Sequence, residues 1–171
     1  MVTAPYHLET DASLNLRKTK AGDDGRPLWL AGGGIVVRSP EMKPLDWEAV
    51  PLGYVRSAEQ AEGLALLAGM NNARVKFGAT ELRARSDNFV LVQHVNREYK
   101  ISESSIQEIV SKIWLEAENF TRFKLLWSAS THAWVRSDLT PTADTLARSA
   151  AGLELRGVKG TAQRVFRTLS R

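Results

Sequence analysis

With 171 residues, 43% of them hydrophobic, the chain is long enough for one buried core and short for two, which predicts a single domain with tails. It contains no cysteine, so disulfides, thiolate zinc sites and thiol chemistry are excluded, and any metal must be held by oxygen or imidazole ligands. The formal charge of +4 is concentrated: residues 151–171 carry Arg156, Lys159, Arg164, Arg167 and Arg171 against Glu154 alone, which leaves the rest near neutral. A basic appendage on a neutral body suits contact with a polyanion, although charged tails are commonly only solvated. Polar residues from His7 to Lys18 leave no signal-peptide core, and no apolar run is long enough for a membrane span. A soluble, cytoplasmic protein that meets no membrane is therefore expected.

Residues 6–13, YHLETDAS, alternate Tyr6, Leu8, Thr10 and Ala12 with His7, Glu9, Asp11 and Ser13. A period of two predicts a central strand, with Asp11 pointing away from the main core; alone, such an acid reads as solvated. Residues 14–27 are polar and end in Gly22, Asp23, Asp24 and Gly25, which predicts a long hairpin connection. The second strand, 28–37, contains Gly32, Gly33 and Gly34. These call for a bulge, the simpler reading, or for something that approaches the backbone closely. Pro40, Pro44 and Pro51 make 39–51 a loop, followed by a short strand at 52–56, and three strands joined in this way form an antiparallel meander.

The pattern then turns helical. Residues 58–73, AEQAEGLALLAGMNNA, favour helix, and Glu62 is the one charged residue from 61 to 70. A helix apolar nearly all round is buried, so Glu62 becomes a carboxylate inside the fold that needs a compensating cation; the plainer reading is an acid near the helix start, favoured by the dipole. Residues 79–86 alternate as a strand, and Asp87 follows at its carboxyl end, before a short apolar helix from Phe89 to Val95. That is where α/β sheets place ligands, though Asp is also a good N-cap. Ser105 to Glu108 reads as a capping box, and Ile106, Ile109, Val110, Ile113 and Ala117 follow with helical spacing. Residues 122–128 form a further strand. Thr140 and Pro141 then read as N-cap and first helical residue, so Asp144 falls in the first turn of a helix, where the dipole alone accounts for it. Beyond Gly152, Val165, Phe166 and Leu169 share one side of a last helix in the basic tail.

The order is three strands, helix, strand, short helix, long helix, strand and helix, an α/β fold with a mixed sheet. Its acids stand on the first strand (Asp11), the first helix (Glu62), the end of the fourth strand (Asp87) and the start of the last helix (Asp144). Converging carboxylates repel one another unless neutralised, and an all-oxygen set suits Mg²⁺, with Mn²⁺ as the alternative. Two such ions about 4 Å apart can activate a water and stabilise the leaving oxygen of a phosphodiester.

At these residues the sequence resembles the type 1 ribonuclease H family, in particular its archaeal and plant-like members. The likeness runs from about Tyr6 to Ala150. TDAS with GGGIVV resembles the family's first hairpin, SAEQAEGLALLAGM its T-N-N-x-A-E-x-x-A-L helix, RSDNFVLVQ its S-D-S/N-x-x-V segment, and VRSDLTPTADTLARSA its A-D-x-L-A helix. The resemblance implies a ribonuclease H-like, five-stranded mixed sheet, three strands antiparallel and then two parallel, flanked by helices. It implies a catalytic domain over residues 1–150 and a basic tail over 151–171. Asp11, Glu62, Asp87 and Asp144 become catalytic metal ligands, and His132 or Arg136 a product-release or proton-transfer residue. Ser13, Gln60, Asn88, Tyr99, Lys100, Arg164 and Arg167 become contacts to nucleic acid, with Tyr99 and Lys100 suited to stacking and a phosphate contact.

The chain departs from the family where an asparagine pair often contacts the RNA strand: here stand Ala58 and Glu59, with Gln60 displaced. Ahead of the last acid, Arg136 is one residue further away and Thr140 replaces an asparagine. Between Asn88 and Glu118 there is no room for an extra basic helix. The implied activity is a metal-dependent endonuclease, monomeric and without a protein partner, that cuts the RNA strand of RNA–DNA hybrids and leaves 3′-hydroxyl and 5′-phosphate ends. The rivals are a DNA- or junction-directed nuclease of the same fold, and a binding module that no longer cuts.

Overall fold

The computed structural model describes residues 4–129 and 140–153. β1 (Tyr6–Ala21), β2 (Pro27–Arg38) and β3 (Pro44–Val55) precede α1 (Ala58–Phe77), β4 (Glu81–Ser86), α2 (Phe89–Val95), α3 (Ser104–Ala117), β5 (Arg122–Trp127) and α4 (Ala143–Ala150). The sheet order is β3-β2-β1-β4-β5, antiparallel from β3 to β1 and parallel from β1 to β5. This is the expected mixed sheet, with β1 in the middle. No helix among the described residues is long and apolar enough to cross a membrane.

One face of the sheet carries the main core. Leu8, Leu82 and Leu125 from the strands meet Leu66 and Met70 of α1, and Ile106, Ile109 and Ile113 of α3. Ser57 caps α1 by accepting from the Gln60 N–H (3.1 Å), and Gly78, at φ 65°, ends it. A left-handed residue at that position lets its N–H reach the last carbonyls, and glycine adopts it without a Cβ penalty.

The other face is covered by α4, and the glycine run is the reason. A Cβ on Gly32 would lie 2.3 Å from Ala151 N, and one on Gly34 would lie 1.8 Å from Ala143 O. Gly33, on the opposite face, points toward Ala65 of α1. The close-approach reading therefore accounts for Gly32 and Gly34, on which helix backbone lies directly; the ladder does break between Ala31 and Gly32, but the extra residue, Leu52, belongs to β3.

Four expectations about elements need correction. Residues 14–27 are not a loose connection, because β1 continues to Ala21 and β2 begins at Pro27; the ladder is interrupted only between Asn15 and Thr19. Residues 39–51 are not wholly loop, because β3 spans Pro44–Val55. It is an edge strand, where a missing N–H costs no ladder bond, so Pro44 and Pro51 are tolerated. Ser105 does not cap α3: the cap position is Glu103, with no side-chain cap bond, and the Ser105 hydroxyl donates to the Glu103 carboxylate (3.3 Å). The N-cap of α4 is Thr142 rather than Thr140, and its Oγ1 accepts from the Thr145 N–H (2.9 Å).

Candidate metal centre

β1 and β4 run side by side only from Tyr6↔Leu82 to Glu9↔Arg85. β4 stops at Ser86 while β1 continues, which opens a notch beside β1 where the antiparallel and parallel halves part. Open α/β sheets bind ligands at such switch points. Asp11 lies two residues past the last β1–β4 pair, opposite Gly34 of β2. Leu8 and Thr10 pack against Gly69 of α1, so strand alternation turns Asp11 away from the main core.

Three carboxylates meet in the notch. One oxygen each from Asp11, Glu62 and Asp87 lies within 4.8 Å of the others, with Asp11 and Glu62 buried and Asp87 exposed. The Ala12 N–H donates to Asp11 Oδ1 (2.8 Å) and to Glu62 Oε1 (3.1 Å), a link the sequence does not advertise. Glu62 Oε2 is buried without a hydrogen-bond partner among the described residues. The electrostatics follow. Burial, then the charge of Asp87, pushes the Asp11 carboxyl up to about 7, with a smaller push from Asp144. Burial, then Asp11 and Asp87, pushes Glu62 well above the usual carboxylate range. The helix-start reading of Glu62 is not what α1 shows, since the acid in its first turn is Glu59.

Asp144 lies in the first turn of α4. It stands outside the close group of three yet near enough to act on Asp11, and the Gly34–Ala143 approach brings it there. The N-cap of α2 is Asn88, whose Oδ1 accepts from the Leu91 N–H (2.9 Å), so Asp87 is not consumed as a cap.

The remaining candidate residues divide. Ser13 is half-buried on β1, opposite Gly32. Gln60 Oε1 accepts from the Arg56 N–H (2.8 Å), a reciprocal cap for α1. Tyr99 and Lys100 are exposed just beyond α2. Around Tyr99 stand two exposed rings that sequence reading missed: Phe89 meets it edge-on at 6.1 Å and meets Trp127 at 5.7 Å. Trp127 Nε1 donates to the Asp87 carbonyl (3.2 Å), which fixes this ledge to a site residue. The available signal was the parallel register that sets Trp127 beside Ser86. His132, Arg136, Arg164, Arg167 and the tail helix lie outside the described residues.

The sheet order and the helices on its two faces define a ribonuclease H-like fold. Residues 28–150 match the model of the reverse transcriptase-like family. The chain belongs to that family, and its fold supports the resemblance to type 1 ribonuclease H. Among solved structures, it is similar to RNase H1 from the halophilic archaeon Halobacterium salinarum NRC-1 (17% identity, 86% of this chain and 97% of that one, TM-score 0.67). It is also similar to the N-terminal RNase H domain of rv2228c from Mycobacterium tuberculosis (22% identity, 85% and 98%, TM-score 0.62). A third is LC11-RNase H1 in complex with an RNA/DNA hybrid (18% identity, 86% and 96%, TM-score 0.66); this protein was isolated from compost by a metagenomic approach. No curated protein sequence matches significantly.

Proposed function

We propose that the chain is a metal-dependent endonuclease that hydrolyses the RNA strand of RNA–DNA hybrids, leaving 3′-hydroxyl and 5′-phosphate ends. The observation that carries this reading is the meeting of Asp11, Glu62 and Asp87 within 4.8 Å at the notch. The donor set fits a hard divalent cation: all ligand atoms are oxygens, and a buried Glu62 oxygen lacks a partner among the described residues. The pK shifts of Asp11 and Glu62 express the uncompensated charge that such a cation would balance. The solved LC11-RNase H1 complex with an RNA/DNA hybrid makes the hybrid the first substrate to test.

Asp11 and Asp87 would hold the ions between them, with Glu62 and Asp144 completing the set. When bound there, Mg²⁺ or Mn²⁺ supplies activation of the attacking water and stabilisation of the leaving oxygen. The chain's own part is orientation. The Ala12 N–H fixes one oxygen of Asp11 and one of Glu62, so the other oxygens are set before substrate arrives. The exposed Asp87 leaves the notch open to a phosphodiester.

A second reading, a DNA-directed nuclease of the same fold, is favoured by the residues at the start of α1. Ala58 has no polar side-chain atom, and the Gln60 side-chain oxygen is engaged in the cap, which leaves less to read a 2′-hydroxyl. Cleavage of RNA–DNA hybrid, double-stranded RNA and double-stranded DNA with Mg²⁺, Mn²⁺ or EDTA separates the two. Cutting of the hybrid's RNA strand is expected, abolished by EDTA and lowered at least ~10²-fold by Asp87→Asn. Cutting of DNA alone would move the protein to the second reading, and hybrid binding without any cutting would leave a binding module.

A further inference from the structure

We infer that the bulged, basic end of the β1–β2 hairpin is a second contact for the nucleic-acid backbone, separate from the carboxylates. This deepens the nuclease reading and rests on it for the identity of the duplex.

The bulge is large. Asn15 pairs with Leu30 and Thr19 with Trp29, so Leu16, Arg17 and Lys18 stand in β1 without ladder partners. An interruption of this size is held by a specific anchor. Asn15 is 5% exposed; its Oδ1 accepts from the Arg17 N–H (3.2 Å) and its Nδ2 donates to the Ala151 carbonyl (2.9 Å). The bulge is thereby tied to the end of α4, and bulges beside functional sites commonly serve to re-aim side chains.

What it aims is positive charge. Arg17, Lys18 and Lys20 are exposed, and none of them forms an ion pair among the described residues. Lys20 sits 4.7 Å from the centroid of the Tyr54 ring, which orients an ammonium without cancelling its charge. The hairpin's Asp24 is occupied by Arg26 and Arg56. Several other cations, by contrast, sit on carboxylates: Arg74 on Glu116, Lys112 on Glu108, Arg122 on Glu81.

Position completes the case. Strand rise places Asn15 about 13 Å along β1 from Asp11, roughly four base-pair steps of a duplex. A duplex laid over the notch can therefore span both points. A Cβ on Gly152 would lie 3.7 Å from Lys18 Nζ, so the residues just past α4 lie at the same corner as the bulge. Exposed cations at one corner, without an ion pair among the described residues, are suited to phosphates, whose contacts are independent of sequence and sensitive to salt.

The test is the full chain carrying Arg17→Ala, Lys18→Ala and Lys20→Ala together, beside Lys112→Ala as a control at an ion-paired cation. Affinity for a labelled RNA–DNA hybrid is followed by fluorescence anisotropy in EDTA across a salt series, and cleavage kinetics are followed with Mg²⁺. The triple variant should melt as wild type, lose about two units of salt slope, bind on the order of 10-fold more weakly, and show a raised KM with kcat retained. An unchanged slope and KM, or an equal change in the control, would overturn the inference while leaving the nuclease reading intact if wild type still cuts. If wild type cuts nothing but the slope falls only in the triple variant, the backbone contact stands and the nuclease reading fails.

Discussion

Asp11 shows what the meeting of three carboxylates asks of each of them. Its carboxyl is pushed up to about 7 by burial and then by Asp87, so the folded state disfavours the charged form relative to an unfolded chain, where the group titrates near 3.9. The sign follows: the native state binds the proton more tightly, so stability is lost as pH rises from about 4 to about 7. Asp11→Asn removes the charge and keeps an oxygen for the Ala12 N–H. In EDTA the variant should melt above wild type at pH 8 by about 5 °C, with the gap closing toward pH 4. Added Mg²⁺ should raise the melting point of wild type and not that of the variant. A gap that does not change with pH would show that the carboxylates do not strain the fold.

At the scale of elements, the site depends on α4 lying on backbone rather than on side chains. Gly34→Ala would put a methyl 1.8 Å from Ala143 O. The helix must then shift, at a cost of about 1–3 kcal/mol or more, and Asp144 shifts with it. Thermal melts should show a fall of roughly 5–10 °C for this variant, with hybrid cleavage reduced although Asp11, Glu62 and Asp87 are untouched; an unchanged melting point would refute the contact. The elements legible in the sequence were those whose pattern matches what holds them. Leu8 and Thr10 alternate with Asp11 because one face is core, and the Ile106–Ile113 stripe is the face that α3 buries. β3 was hidden by Pro44 and Pro51, whose cost vanishes at a sheet edge. The extent of β1 was hidden by its polar, exposed second half, held by pairing with β2 rather than by burial. The caps of α3 and α4 were misplaced because Ser and Thr occur several times at each helix start, and local geometry chooses among them.

For the whole molecule, charge is divided between a notch of carboxylates and an exposed basic group, Arg17, Lys18 and Lys20, on β1, while the sequence adds five more cations after Leu153. Removing residues 153–171 deletes the tail's five cations and one anion. Hybrid affinity should then weaken more at moderate than at low salt, with a lower salt slope; equal slopes with and without the tail would mean that it touches no phosphate. The convergence of Asp11, Glu62 and Asp87 was legible as three short motifs in order, with a fourth carrying Asp144. The aromatic ledge of Phe89, Tyr99 and Trp127 was not, because its members are far apart in the chain and each reads singly as an ordinary apolar residue. β3 also carries a consequence beyond the site. As an edge strand it offers a row of backbone groups to any neighbour, yet Pro44 and Pro51 remove two of the donors such a neighbour would use, and register breaks lie near both. That margin of the sheet is thus blunted against extension, and copies of the chain crowded together meet an interrupted rim there rather than a continuous one.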